Sequence, residues 1–349
     1  MSPEKRLKVE NILLILIIAL FFGLLYNFLF YPHSLTEFIE AACISILIGL
    51  LIGLLEEFLF KKTFEKISFL SVSIIRLLLY SSMVSLILSL VLSIETALTE
   101  EISYASSVFK YLGSTLFRRD LLFSLSFIAL ILFIVQIMRL IGRANFVRLM
   151  LGMYHQPREV SRIYMFLDIK GSTSIAEKLS NRIYSAFLKE FFYDVSDAII
   201  LYKGEIYQYV GDEIIVVWPL RKANENCIHC FFKMVEIIKE KESIYQAKYE
   251  LVPAFKAGIH TGQVVETEVG KQKKEIVYHG DVLNTTSRIE GKCNELGQKL
   301  LISQDMLSHL NLGNDFHVEE KGEIELRGKS KKMALYGVKL VMNQHKHLL

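Results

Sequence analysis

The sequence predicts an all-α transmembrane bundle followed by an α+β domain of ferredoxin-like layout, and three observations predict it. The apolar excess lies almost entirely before residue 142. Four apolar stretches in that part are long enough to cross a hydrocarbon core, which takes roughly 20 residues. Beyond residue 162 the pattern changes to short strand-like runs alternating with amphipathic helices. Over the 349 residues, 52% are hydrophobic and mean hydropathy is +0.35, too apolar for an ordinary soluble protein. A net charge of +3 makes no case for a nucleic-acid partner.

The four stretches are 12–31, 38–55, 67–92 and 121–140, and they define a membrane domain over 1–142. The second is the weakest, because it contains Glu40 and its clean run is short. The first lacks a small-residue cleavage site and is too long for a cleaved signal peptide. Lys5, Arg6 and Lys8 precede the first stretch, Lys61, Lys62 and Lys66 separate the second and third, and Arg139, Arg143 and Arg148 surround the end of the fourth. The link at 32–37 has no Lys or Arg, and the link after the third stretch carries Glu95, Glu100 and Glu101, offset by Lys110, Arg118 and Arg119. The positive-inside rule then puts both termini and the soluble half in the cytoplasm of a multi-pass membrane protein. Arg76 is a functional candidate as an intramembrane charge, but nine positions from the cytosolic start it reads as snorkelling to the inner face. The bundle reads as an anchor and dimer contact, with a sensor role open. A linker at 143–161 continues the fourth segment as a helix ending before Pro157, and 342–349 is a tail.

In the soluble half, 164–169 reads as a buried strand delivering Asp168 to its end. Apolar residues three or four apart make 172–202 one long amphipathic helix. Two apolar runs joined at Gly211-Asp212 form a hairpin. A helix at 223–241, strands at 251–260 and 262–268 around Thr261-Gly262, and a helix at 282–296 follow. Strands near 300–303, 317–321, 323–326 and 333–341 finish the domain, with helices on one face of an antiparallel sheet. Cys227 and Cys230 form a lone CxxC without a second ligand pair and read as reduced thiols.

The chemistry-bearing residues cluster in three places. Asp168 and Asp212 would meet at one end of the sheet, where two carboxylates can hold two divalent cations about 4 Å apart and neutralise a leaving pyrophosphate. The turn after Asp168 opens a helix, and its amide donors suit a phosphate. Asn284 and Arg288 share a helix face, and Arg is the preferred bidentate phosphate partner. Taken singly, Asp212 is an ordinary turn residue and Asp168 an ordinary helix initiator; the three together are not.

FLDIKGST, YVGDE, GDVLNTTSR and LRGKS, in that order and spacing, resemble the catalytic domain of class III nucleotidyl (adenylate/guanylate) cyclases over 162–341. The resemblance implies a homodimer with sites at the subunit interface. It implies that Asp168, Asp212 and the backbone carbonyl of Ile169 bind two Mg²⁺ or Mn²⁺, and that the turn through Gly171, Ser172 and Thr173 holds the triphosphate. Asn284 would orient the ribose and Arg288 stabilise the transition state, both reaching in from the other chain, while Lys329 adds a triphosphate contact. The implied reaction turns ATP into 3′,5′-cyclic AMP and pyrophosphate. Two positions depart from the adenine-selecting pattern: Gln208 stands where a Lys is usual, and Val277 where an Asp or Thr is. Gln can donate or accept, whereas Val277 offers no side-chain hydrogen bond, leaving backbone groups, Tyr278 or His279 to read the base. Ser172 also replaces a usual Phe. A cyclase for GTP or a pyrimidine nucleotide, and a nucleotide-binding membrane receptor without turnover, stay open. A diguanylate cyclase, suggested by Val210-Gly-Asp-Glu213, is disfavoured by the Asn284/Arg288 pair and the single Gly.

Overall fold

Long runs of Leu, Ile and Phe without proline propagate helices, and the N-terminal part is helical over its described length apart from short turns. The computed structural model describes residues 3–31, 34–60, 69–220, 224–325 and 332–341. The expected charges at Lys61, Lys62 and Lys66, the LRGKS motif beyond 325 and the tail therefore lie outside the described residues. The chain divides into two compact units, Met1–Ile141 and Gly142–Leu349.

The first unit contains α1 (Pro3–Phe30), α2 (Leu35–Leu55, continued by a π-helical turn over Glu56–Phe60), α3 (Phe69–Glu100), α4 (Tyr104–Leu112) and α5 (Thr115–Ile141). Within them, Asn11–Phe30, Leu35–Leu59, Leu70–Glu100 and Thr115–Met138 are long and apolar enough to cross a membrane by length and composition. Ser34 starts α2 by accepting from the Glu37 amide. A small-residue seam holds α2 against α1. A Cβ on Gly49 would meet Ala19 Cβ at 2.8 Å, and one on Gly53 would meet Ile12 Cγ2 at 3.2 Å, the close approach that such spacing serves in apolar helices. Arg76 is paired inside the unit. It is buried, 3.1 Å from Glu56 Oε1, and the Tyr80 hydroxyl donates to the same oxygen at 2.7 Å. A buried charge survives in an apolar setting by pairing, and its partner comes from the end of the preceding helix. A second polar knot surrounds buried Asp120, which accepts from the Tyr111 hydroxyl at 2.7 Å and from Tyr26.

The second unit opens with α6 (Arg143–Met150). The linker was expected to extend the fourth apolar helix without a break, but Gly142 stands between them at φ +84°, a conformation glycine takes at no steric cost. There follow β1 (Arg158–Ile169), α7 (Ser172–Lys178), α8 (Asn181–Leu201), β2 (Glu205–Val210), β3 (Glu213–Pro219), α9 (Asn226–Glu240), α10 (Glu242–Tyr249) and β4 (Phe255–Val269). The remainder is β5 (Glu275–His279), α11 (Asp281–Gly291), β6 (Leu300–Ser303), α12 (Gln304–Leu307), β7 (Phe316–Ile324) and β8 (Met333–Leu340). The sheet order is β2-β3-β1-β4-β6-β8-β7, with β5 paired to β4. Its first four strands have the antiparallel ferredoxin-like order. The sheet as a whole is mixed, because β6 runs parallel to β4 after the α11 crossover.

Side chains alternate along β1. Ile163, Met165, Leu167 and Ile169 join Phe187, Phe191 and Val195 of α8 and Phe231 and Met234 of α9 in the main core. Tyr164 and Phe166 point the other way, toward Ile215, Val217, Val264 and Val282. The expectation that helices cover a single face fails at this point, since α11 lies on the second face. Gly258 permits it: an added Cβ would meet Glu290 N at 2.4 Å and Thr286 O at 2.9 Å. Gly262, read as part of a turn, sits inside continuous β4 and leaves room for Val282, whose Cγ2 would lie 2.7 Å from an added Cβ. The predicted helix 172–202 breaks at Leu179, which is extended, and Ser180 caps α8 by accepting from Ile183 N; a good N-cap favours a new helix start there. The last antiparallel pair joins 316–324 into one strand with an irregularity between Glu320 and Glu323.

Candidate active site

Strand register builds the acidic end of the sheet. Asp168 pairs with Glu213 of β3 on one side and with Lys256 of β4 on the other. The β2–β3 hairpin closes Val210 against Glu213, with Gly211 at φ +64°, and the turn delivers Asp212 to Asp168. The two carboxyls stand side by side. Asp212 Oδ2 is buried with no hydrogen-bond partner among the described residues. Burial first, and then the nearness and charge of Asp212, push the Asp168 carboxyl up to about 7. Glu213 is likewise raised to about 7, by burial and then by Glu290, Asp168 and Asp212.

Two carboxyls forced together with an unsatisfied inward oxygen are the donor set a hard divalent cation completes, because oxygen ligands and dense negative charge are what Mg²⁺ and Mn²⁺ require. Side chains alone do not make a cage: no group of three or more His, Cys, Asp or Glu suited to a metal occurs among the described residues, so backbone and substrate oxygens would supply the rest. Ile169, whose carbonyl was expected to contribute, ends β1 with its side chain buried in the core. After it, Lys170 N donates to Ala254 O at 2.7 Å. Gly171 turns the chain at φ +70° and leads into α7 without a side-chain cap. Ser172 is half-buried and Thr173 exposed there, beside first-turn amides that a helix cannot pair internally.

On α11, Val282, Thr285, Thr286, Ile289 and Glu290 are buried against the sheet. Asn284 is exposed and Arg288 half-buried, and neither side chain bonds another described residue. The helix therefore offers Asn284 and Arg288 away from the face it presses onto its own sheet, and no described hydrogen bond or ion pair joins either of them to Asp168 or Asp212. Gln208 is exposed on edge strand β2, just past a register shift. Val277 is half-buried on β5 opposite Thr267. Their neighbours Tyr207 and Tyr278 touch edge to face at 4.9 Å. Lys329 lies outside the described residues.

Sequence reasoning missed Lys256 and Glu290. Lys256 is buried, 3.2 Å from Asp168 Oδ2, and also pairs with Glu290. The available signal was a lone cation in the otherwise apolar strand AFKAGIH, on the face that Gly258 and His260 share.

A profile of the Adenylate and Guanylate cyclase catalytic domain matches residues 153–339. More than half of the chain lies inside that match, and the chain belongs to this family. It is 36% identical over 207 residues to adenylate cyclase 2 of Rhizobium meliloti (strain 1021), covering 59% of this chain and 57% of that protein. It is 28% identical over 184 residues to the adenylate cyclase of Anabaena cylindrica, covering 50% and 36%. The chain thus spans little more than half, or less, of these curated relatives. Among solved structures, a bacterial light-regulated adenylyl cyclase superposes with a TM-score of 0.52 at 19% identity, over 61% of this chain and 64% of that one, a likeness of fold.

Proposed function

We propose that the protein is a membrane-anchored adenylate cyclase, converting ATP to 3′,5′-cyclic AMP and pyrophosphate at sites shared between two copies of the chain. The Asp168–Asp212 pair with its unpartnered inward oxygen carries this reading, supported by the family and by the adenylate cyclases among its relatives. Two Mg²⁺ or Mn²⁺ bound there would neutralise the triphosphate and lower the pKa of the ribose 3′-hydroxyl. Asp168, Asp212 and the Ile169 carbonyl would hold that charge in place. The turn through Gly171, Ser172 and Thr173 seats the phosphates against backbone amides. From the second copy, Asn284 orients the ribose, and Arg288 meets the charge that develops as the 3′-oxygen bonds the α-phosphorus and pyrophosphate departs. Lys329 completes the triphosphate contacts. Intramolecular attack needs little beyond this positioning. The four apolar helices hold the enzyme in the bilayer, with the catalytic unit in the cytoplasm.

A GTP cyclase is the second reading, left open because Val277 provides no side-chain bond to either purine. Initial rates of full-length protein with ATP, GTP, CTP and UTP in Mn²⁺ decide the matter. Cyclic AMP as the main product, abolished by Asp212→Asn, is expected. Nucleotide binding without pyrophosphate release would overturn turnover altogether.

A further inference from the structure

The acidic end of the sheet contains a positive charge that the reaction scheme leaves without a role. Lys256 is 7% exposed and reaches Asp168 Oδ2 at 3.2 Å while also pairing with Glu290 Oε1. Near it stand the carboxyls of Asp168, Asp212, Glu213 and Glu290, and the charges of Asp212 and Glu290 act on both Asp168 and Glu213. Four acids and one ammonium in a half-buried space are short of positive charge, and the lysine sits at the position where more is needed.

We propose that Lys256 is a resident counter-cation: it holds Asp168 in place when no divalent ion is bound, and it yields that carboxylate to the metal by leaning onto Glu290. The inference rests on the metal reading given above and adds a positioning residue to it. An ammonium and a divalent ion about 4 Å apart repel strongly at the modest dielectric of such a site, so both cannot press on one carboxylate without cost. Glu290 removes the conflict, because it gives Nζ a second partner on α11 and spares Lys256 from being left buried and unpaired. Metal affinity is therefore set by a competition, which keeps the empty site from collapsing by repulsion.

The two partners of Lys256 predict opposite signs. Lys256→Met removes the competitor, and Mn²⁺ should bind at least about tenfold more tightly. Glu290→Gln leaves Asp168 as the ammonium's charged partner, and Mn²⁺ should bind several-fold more weakly. Electron paramagnetic resonance of free Mn²⁺, titrated into full-length protein in detergent without nucleotide, reads both affinities independently of turnover. A buried ion pair that only supports the fold would weaken binding in both variants, and that result overturns the proposal. If Lys256→Met does not fold, Lys256→Gln takes its place, and binding no tighter than in the unaltered chain overturns the proposal. Failure of the unaltered chain to bind Mn²⁺ both alone and with added tripolyphosphate refutes the metal reading itself, whereas normal binding with no change in either variant refutes the counter-cation alone.

Discussion

Arg148 Nη1 and Nη2 each lie 2.9 Å from a carboxylate oxygen of Glu205, fastening α6 to edge strand β2, the strand that leads to Asp212. Fully buried Tyr154 braces the joint, donating its hydroxyl to Asn145 Oδ1 at 3.0 Å. Bidentate guanidinium–carboxylate pairs are the strong class of ionic hydrogen bond, so Arg148→Ala should cost about 1–2 kcal/mol locally. Amide hydrogen exchange over 205–210 should quicken, and a double-mutant cycle with Glu205→Ala should show coupling near 1 kcal/mol. Strict additivity would mean that the pair does not fasten α6.

The catalytic assignments separate by kinetics. Asp212→Asn should lower turnover by more than about a hundredfold through loss of a metal carboxylate. Arg288→Ala should lower kcat more than it raises KM. Co-expression of these two variants should restore one composite site per dimer, and absence of any rescue would contradict sites shared between chains.

Acidity should matter most to the metal-free protein. Asp168 is raised from 3.8, and Glu213 from 4.5, to about 7 in the fold. A folded value above the unfolded one means that folding favours the protonated acid, so this stability is present at low pH and disappears as pH rises from about 4 through 7. With chelator, the melting temperature of the catalytic unit should fall across that window from these two groups. Mn²⁺ should recover most of the loss near pH 8 and little at pH 5, where protons compete for the same oxygens. A melting temperature independent of metal at pH 8 would contradict the site.

Two glycines should respond differently to alanine. At Gly258 an added Cβ would run into the backbone of α11, and backbone cannot rotate aside, so Gly258→Ala should cost about 3 kcal/mol and unseat the helix bearing Asn284 and Arg288. At Gly171 nothing lies within 4 Å and only φ +70° opposes a side chain, so Gly171→Ala should cost about 1 kcal/mol. Chemical denaturation of both variants in one detergent measures the contrast.

Local signals made part of this molecule legible. The pairing of Asp168 with Asp212 followed from an apolar strand and a Gly-Asp hairpin, both short-range features. The shared face of Asn284 and Arg288 followed from helical spacing. What escaped depends on register or on distant partners. Lys256 acquires meaning only when β4 is set beside β1 and Glu290 arrives from α11. Arg76 looked free to snorkel because Glu56 lies on another helix. The break at Leu179 was hidden because apolar spacing continues across it, and Gly262 resembled a turn because its reason, the bulk of Val282, lies on a different element.

If Asn284 and Arg288 on α11 serve a second copy, as proposed, output becomes a matter of crowding. On the proposed reading, in which two copies share each site, an isolated chain would own two unlike half-centres and no complete one, so the rate per molecule should climb with surface density in a bilayer and fall steeply when the protein is diluted into excess lipid. Whatever gathers these chains or scatters them would then act as an on–off control without touching a single atom of the acidic cluster.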